Sequence, residues 1–331
     1  MKSIILICPF FGTLPKEYFQ LILNSCENNP SIDWLLITDD RTNYKYPQNV
    51  KVVYNTWEEF SAYVREKVKI KLNLNCVLNK PYKLCDYRPA FGLIFDQYLK
   101  DYDYWGNTDF TDVLYGNLRY FLPEKVLTFD KINFLGHLTL YKNTDEVNNR
   151  CRLTLPNGND IKKILSSSDN FAFDEAGENG IQQIYNKYNF SFIYVDNIEA
   201  DISPMRYSFQ LSKFDSSFHQ YYEKPYSRIF SYNNGKLSSF YVKNKEVITE
   251  EYGGIHFQKR KMHSELGNKS TNKFLIVPYG FIKYNNNIDK ELIVKYSPNK
   301  IYLPFFRLKW KALKVKSRKV LRIFRSKNYG Y

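Results

Sequence analysis

Apolar and polar residues alternate in blocks along the first third of the chain. Ile4 to Cys8 is a continuous apolar run of strand length, an amphipathic segment follows from about Pro15 to Cys26, and a second apolar run, Trp34 to Thr38, ends at Asp39-Asp40. That order predicts a βαβ beginning. Val52 to Tyr54 predicts a third short strand, and Thr56 to Lys67 a helix with Thr56 at its cap and Glu58-Glu59 in its first turn. A helix from about Arg88 to Lys100 then leads into the aromatic strand Tyr102 to Trp105. The expected class is α/β, with a doubly wound, mixed but mainly parallel sheet flanked by helices.

After Gly116 the pattern is mixed. Arg119 to Leu122 and Asp160 to Ser166 predict short helices, about Gly180 to Tyr188 a longer one, and Asn133 to Tyr141 a single apolar strand containing Gly136-His137. Further strands are expected at Phe192 to Val195, Arg228 to Tyr232, Ser239 to Val242 and Gly254 to Phe257. No internal repeat is visible. One catalytic domain over residues 1–300 and a separate basic tail over 301–331 is the expected organisation.

With 331 residues and 44% apolar content, the chain can build a large core. Its five cysteines, Cys8, Cys26, Cys76, Cys85 and Cys151, show no paired metal spacing, and their odd number argues against a disulfide framework. A cytoplasmic setting is the simpler reading. Ile4 to Phe11 reads as a first strand and not as a signal segment. No apolar segment approaches the roughly 18 residues needed to span a bilayer. The net charge of +14 is concentrated at the end: ten Lys and Arg and no acidic residue lie from Arg307 onward, which leaves +4 for the rest.

Trp105-Gly106-Asn107-Thr108-Asp109-Phe110-Thr111-Asp112 sets carboxylates directly after an aromatic strand, at the end where open α/β sheets bind ligands. Mg²⁺ and Mn²⁺ take oxygen ligands from one or two carboxylates together with substrate phosphates. Asp109 and Asp112 therefore suggest a metal–diphosphate site, with a helix cap and a turn as the plainer alternative. Asp39 and Asp40 end the second strand, where carboxylates read a base or ribose or simply cap a turn. Lys83 and Arg88 bracket Asp86 and suit a diphosphate, although an internal Asp86–Arg88 pair fits nearly as well. His137 is either a core histidine or a catalytic one. Asp174-Glu175 supplies a candidate general base or contacts to sugar hydroxyls, against a charge pair at a helix entry. His256 is a candidate metal ligand, and Lys259, Arg260 and Lys261 beside it would neutralise a departing diphosphate, or form a plain basic loop.

As an ordered set these islands resemble a GT-A type nucleotide-sugar glycosyltransferase, in particular a bacterial family from capsule and lipopolysaccharide biosynthesis clusters. The stretches that carry the resemblance are Ile7-Cys8-Pro9-Phe10-Phe11-Gly12, Leu36 to Asp40, Lys83 to Gly92, Trp105 to Gly116, Gly136-His137, Phe173-Asp174-Glu175 and His256 to Met262. The resemblance implies a Rossmann-like domain in which a hexose passes from a nucleoside-diphosphate sugar, a UDP-sugar foremost, to a saccharide or lipid-linked saccharide. It implies a donor bound by Pro9, Phe10, Asp39, Asp40, Lys83, Arg88, Asn107, Thr108 and Lys259 to Lys261. It further implies Mn²⁺ or Mg²⁺ on Asp109, Thr111 or Asp112, and His256. The family's acidic signature is Asp-any-Asp; this chain has Asp109-Phe110-Thr111-Asp112, so either Thr111 or Asp112 takes the second position.

From Tyr302 onward, Phe306, Trp310, Leu313, Val320, Leu321 and Phe324 recur among the cations, predicting a basic amphipathic helix. Such a helix would lie on an anionic bilayer, making the protein peripheral on the inner face of the plasma membrane, or would pack on the domain with a solvated charged face. A nucleic-acid-binding protein and a non-catalytic donor-binding subunit are the rival readings. The first is disfavoured by the nearly neutral body, and no nucleic-acid partner is expected.

Overall fold

The computed structural model describes residues 1–298, apart from 216, 259, 268–270, 285 and 286, together with Phe306 and Trp310. In chain order the strands are β1 (Ile4–Phe10), β2 (Ile32–Thr38), β3 (Val50–Tyr54), β4 (Tyr104–Thr108), β5 (Val113–Tyr115), β6 (Lys131–Leu135), β7 (Leu138–Lys142), β8 (Phe192–Ile193) and β9 (Ala200–Ile202). They continue as β10 (Leu211–Phe214), β11 (Gln220–Tyr222), β12 (Arg228–Asn233), β13 (Lys236–Lys243), β14 (Glu246–Tyr252), β15 (Gly254–His256), β16 (His263–Ser264), β17 (Lys273–Val277) and β18 (Gly280–Lys283).

β1 lies inside a seven-stranded sheet ordered β3-β2-β1-β4-β7-β6-β8. A central parallel strand must be apolar on both faces, and its residues divide by alternation. Ile4, Leu6 and Cys8 enter one core, shared with the helix Phe19–Glu27, and Ile5 and Ile7 enter a second, shared with the helix Trp57–Leu72. β3, β2, β1 and β4 are mutually parallel. β7 then enters antiparallel beside β4, so the sheet is mixed, as expected. Gly106 lets β4 and β7 close up, because a Cβ there would stand 2.5 Å from the Thr139 carbonyl oxygen. Thr56 and Glu59 form a reciprocal capping box on the helix Trp57–Leu72.

Three departures from the sequence expectation shape the site. Residues 133–141 are not one strand: β6 and β7 form an antiparallel hairpin, and Gly136-His137 is its turn. The helix expected over Arg88–Lys100 is broken into Arg88–Ala90, Phe91–Ile94 and Asp96–Tyr98. Pro89 stands in the first piece, and Phe91, Ile94 and Phe95 are all buried, so packing supports turns too short to be stable alone. Two further sheets, β11-β10-β9-β15-β5 and β14-β13-β12-β17-β18-β16, extend the body beyond the expected doubly wound sheet. The basic amphipathic tail lies outside the described residues except for Phe306 and Trp310, both exposed. No helix among the described residues is long and apolar enough to cross a membrane.

Candidate active site

Strand register assembles the site from distant segments. Thr108 pairs with Leu138 across β4 and β7, which sets the hairpin turn beside the loop after β4 and lets the Asp109 amide donate to the His137 carbonyl at 3.3 Å. That loop leads into β5, where Val113 pairs with His256 of β15, and His256 in turn pairs with Asp201 of β9. Residues side by side in neighbouring strands carry their side chains on one face. His256 Nδ1 and Asp201 Oδ1 accordingly lie 2.9 Å apart, and Gln258 Nε2 donates to the same oxygen at 2.8 Å.

The His137 and His256 rings stack with centroids 4.0 Å apart and planes 18° from parallel. His137, Asp201 and His256 each bring a ligand atom within 4.8 Å of the others. Asp109 Oδ2 is 3.9 Å from His256 Nε2, and the other Asp109 oxygen accepts from Arg88 Nη2. Arg88 reaches across with Nη1 to Asp174 Oδ2 at 2.8 Å and to the Gly136 carbonyl at 2.5 Å. These groups line a cavity of about 640 Å³ that also includes Asp112, Glu175, Tyr82 and residues of the β10–β11 hairpin.

Charge in this cavity is distributed unevenly. Burial tends to lower His256, but the Asp201 hydrogen bond and the carboxylates around it raise it to about 9. Burial and the neighbouring His256 hold His137 down at about 3. Asp201 resists burial through His256, His137 and Gln258 and falls to about 2, while Asp109 is held low mainly by Arg88. Burial raises Asp174 to about 7 against the pull of Arg88. Glu199, fully buried with its Oε2 3.2 Å from His137 Nε2, rises to about 8.

Could a divalent cation fit here? The donors are two imidazoles and at least two carboxylates, a mixture that suits Mn²⁺ and other borderline cations better than Mg²⁺, which demands oxygen. Among the described residues, His137 Nε2, both Glu199 oxygens and Asp174 Oδ1 are buried without a hydrogen bond, although His137 Nε2 and Glu199 Oε2 stand 3.2 Å apart. Buried polar atoms without partners call for compensation, and four of them border this group. The residues present fit a metal, with His137, Asp201 and His256 able to hold it and Asp109 beside them.

Other residues expected at the site stand differently. Asp174 and Glu175 line the cavity, and Asp112 does too. Thr111 is buried and outside the cavity lining. Asn107 donates through Nδ2 to the Gly136 carbonyl at 2.7 Å while its Oδ1 is buried without a hydrogen-bond partner, and Thr108 Oγ1 lies 2.8 Å from the Tyr115 hydroxyl, so both help to hold the loop and hairpin. Pro9 and Phe10 end β1, half-buried. Asp39 and Asp40 accept from the Gly12 and Leu14 amides at 2.8 and 2.7 Å and fasten the loop after β1.

Lys83 does not reach the cavity. Its ammonium is fully buried and donates to Asp86 at 2.7 Å and to the carbonyls of Ile164 and Asp169. Asp86 thus pairs with Lys83 and not with Arg88. Arg260 is buried too, donating to the carbonyls of Ser203, Arg206, Tyr207 and Ser208, and is not available to a diphosphate. Lys261 is exposed, and Lys259 lies outside the described residues.

Asp201 and Glu199 were not anticipated. The signal was present in Ile198-Glu199-Ala200-Asp201-Ile202, where two acids alternate with apolar residues as the chain enters the buried strand β9, Glu199 just before it and Asp201 within it.

The mouse xyloside xylosyltransferase 1, in its apo form, is a solved structure similar to this one at a TM-score of 0.33 and 8% sequence identity, covering 61% of this chain and 88% of the other. No curated protein matches the sequence significantly. The family described as "Family of unknown function (DUF6625)" matches residues 6–285, and the chain belongs to it.

Proposed function

We propose that the protein is a divalent-metal-assisted glycosyltransferase that moves a hexose from a nucleoside-diphosphate sugar, a UDP-sugar foremost, to a saccharide or lipid-linked saccharide. The observation that carries this reading is the convergence of Asp109, His137, Asp201 and His256 just beyond the carboxyl end of β4, beside β1. Strand order departs from β1 in opposite directions there, to β2 on one side and β4 on the other, and such switch points are where open sheets bind ligands. The cavity is rich in carboxylates, so a diphosphate would need a cation to enter it.

A metal held by His137, Asp201 and His256 would neutralise the leaving diphosphate. The chain's own groups divide the remaining work. The Arg88 guanidinium faces the same region and opposes negative charge growing on the leaving group, while His256, neutral when it holds the metal through Nε2, keeps its Nδ1 against Asp201. Arg88 orients Asp174 through Oδ2 and leaves Oδ1 for a proton. The acceptor oxygen attacks the anomeric carbon, the bond to the phosphate oxygen breaks with its electron pair leaving on the diphosphate, and the hydroxyl proton passes to Asp174. A carboxylate poised at about 7 is matched to that task. Glu175, at the rim, contacts sugar hydroxyls.

We extend the proposal to surface-polysaccharide synthesis at the inner face of the plasma membrane, with the basic tail from Tyr302 resting on anionic lipid.

A thermal-shift screen of UDP, GDP, CMP and their sugars, each with and without Mn²⁺, tests the reading. Stabilisation by one nucleotide sugar only with Mn²⁺, followed by release of free nucleotide when acceptors are added, is the expected result. No shift with any nucleotide under either condition overturns it.

A further inference from the structure

The wall of the cavity farthest from β1 is aromatic. Phe134 of β6 packs edge-on against Phe214 and Phe218, with centroids 4.8 and 5.1 Å apart, and stacks on Tyr194 at 5.1 Å. Tyr82, 65% exposed, lines the same cavity from another segment. Alternation carries this surface outward. Gln220 pairs with Phe214 and Tyr222 pairs with Ser212 across β10 and β11, so Tyr222 shares the face on which Gln220 and Phe214 line the cavity. Tyr222 is 46% exposed. Among the described residues β11 ends its sheet and has a strand neighbour on one flank alone.

Phe218 holds φ at +61°, a left-handed conformation that L residues with bulky side chains seldom adopt. The turn is tied by Asp215, whose Oδ1 accepts from Ser217 and His219 at 2.8 and 2.9 Å and whose carbonyl accepts from Phe218 at 3.0 Å. The turn thus holds the ring against Phe134 despite the backbone cost, a pattern that collects at ligand-binding positions.

We infer that this wall is the acceptor subsite and that it takes an oligosaccharide, an inference that rests on the glycosyl-transfer reading. Position separates it from the donor. Phe134 lies three strand spacings from β1, roughly 14 Å at ~4.8 Å per strand, with the Asp109–His256 group between them. Chemistry names the occupant: aromatic faces stack on the apolar faces of pyranose rings, while Gln220, His219 and Glu175 interleave with them to meet hydroxyls. A lipid chain would cover these exposed polar groups and take them from water without offering hydrogen bonds in return. Tyr222 extends the surface beyond the cavity, room for more than one sugar.

The test uses the full chain on immobilised oligosaccharides covering common hexose, hexosamine and uronic-acid linkages, with anionic phospholipid vesicles as a second probe. Wild type should retain a subset of the oligosaccharides, and Tyr82→Ala and Tyr222→Ala should each weaken that binding about tenfold, the loss of one aromatic contact. Tyr222→Phe should keep it, which sets ring stacking apart from misfolding. All three variants should keep the Mn²⁺-dependent thermal shift. No oligosaccharide retained by wild type, or retention unchanged in both Ala variants, overturns the inference, as does vesicle binding that alone responds to them. Saccharide binding that follows the aromatic residues while wild type shows no shift with any nucleotide, with or without Mn²⁺, would uphold the subsite and sink the transfer reading.

Discussion

His137 and His256 stack at 4.0 Å between ring centroids yet are pushed in opposite directions: burial and the neighbouring His256 lower His137, while a 2.9 Å contact with Asp201 raises His256 against the same burial. Two adjacent imidazolium rings would repel, and Asp201 decides which one carries the proton.

That relationship sets a pH dependence. His256 is raised in the folded protein to about 9, so its pairing contributes stability fully below about 6.5, its ordinary value, and loses it as pH rises through about 9. In metal-free protein, Asp201→Asn should bring the His256 titration seen by NMR back toward neutrality and flatten the alkaline fall in stability. An unchanged titration would show that Asp201 is not the cause.

Mn²⁺ alone should raise the melting temperature of wild type, by roughly 2.7 kcal/mol of stability at a hundredfold excess over Kd. His256→Ala and Asp201→Asn should remove that shift. A Mn²⁺ shift that survives both substitutions places the metal elsewhere, whatever the activity of the variants.

Asp174→Asn should reduce transfer about 10² to 10⁴-fold, with the donor KM little changed and the pH–rate limb near 7 abolished. Steady-state kinetics across pH measures both. A large rise in donor KM at unchanged kcat would make Asp174 a binding group and not the base.

Lys83→Ala should cost stability and leave donor affinity alone. Removing one member of a fully buried ion pair costs on the order of 3–5 kcal/mol, and Lys83 also serves two carbonyls. Denaturant unfolding beside nucleotide titration separates the outcomes. Weaker donor binding at unchanged stability would return Lys83 to the donor site.

Gly136→Ala tests how tightly the hairpin turn meets the base. A Cβ there would stand 3.0 Å from Asp174 Oδ2, 3.4 Å from Glu175 Oε1 and 3.5 Å from Arg88 Nη1. We expect a drop in kcat of about tenfold for a stability loss near 1 kcal/mol, the lower end of overpacking costs. Full activity would show that Asp174 yields freely.

Much of the architecture follows from local pattern. Ile4 to Cys8 read as a strand, Thr56 with Glu58-Glu59 behind it read as a helix start, and the aromatic run before Asp109 marked the strand that delivers the loop. Alternation and capping act over a few residues, so the sequence alone determined them. Partner choice acts over long separations. Lys83 and Arg88 looked equivalent beside Asp86, and only the folded chain buried one in a structural ion pair and turned the other toward Asp109 and Asp174. Likewise His137 moved from an expected strand to a turn because β7 pairs with β4 as well as β6. Asp201 joined His256 through a strand pairing between residues 55 positions apart. Each depends on register between strands, which is decided by what the whole core can bury and not by any window of sequence.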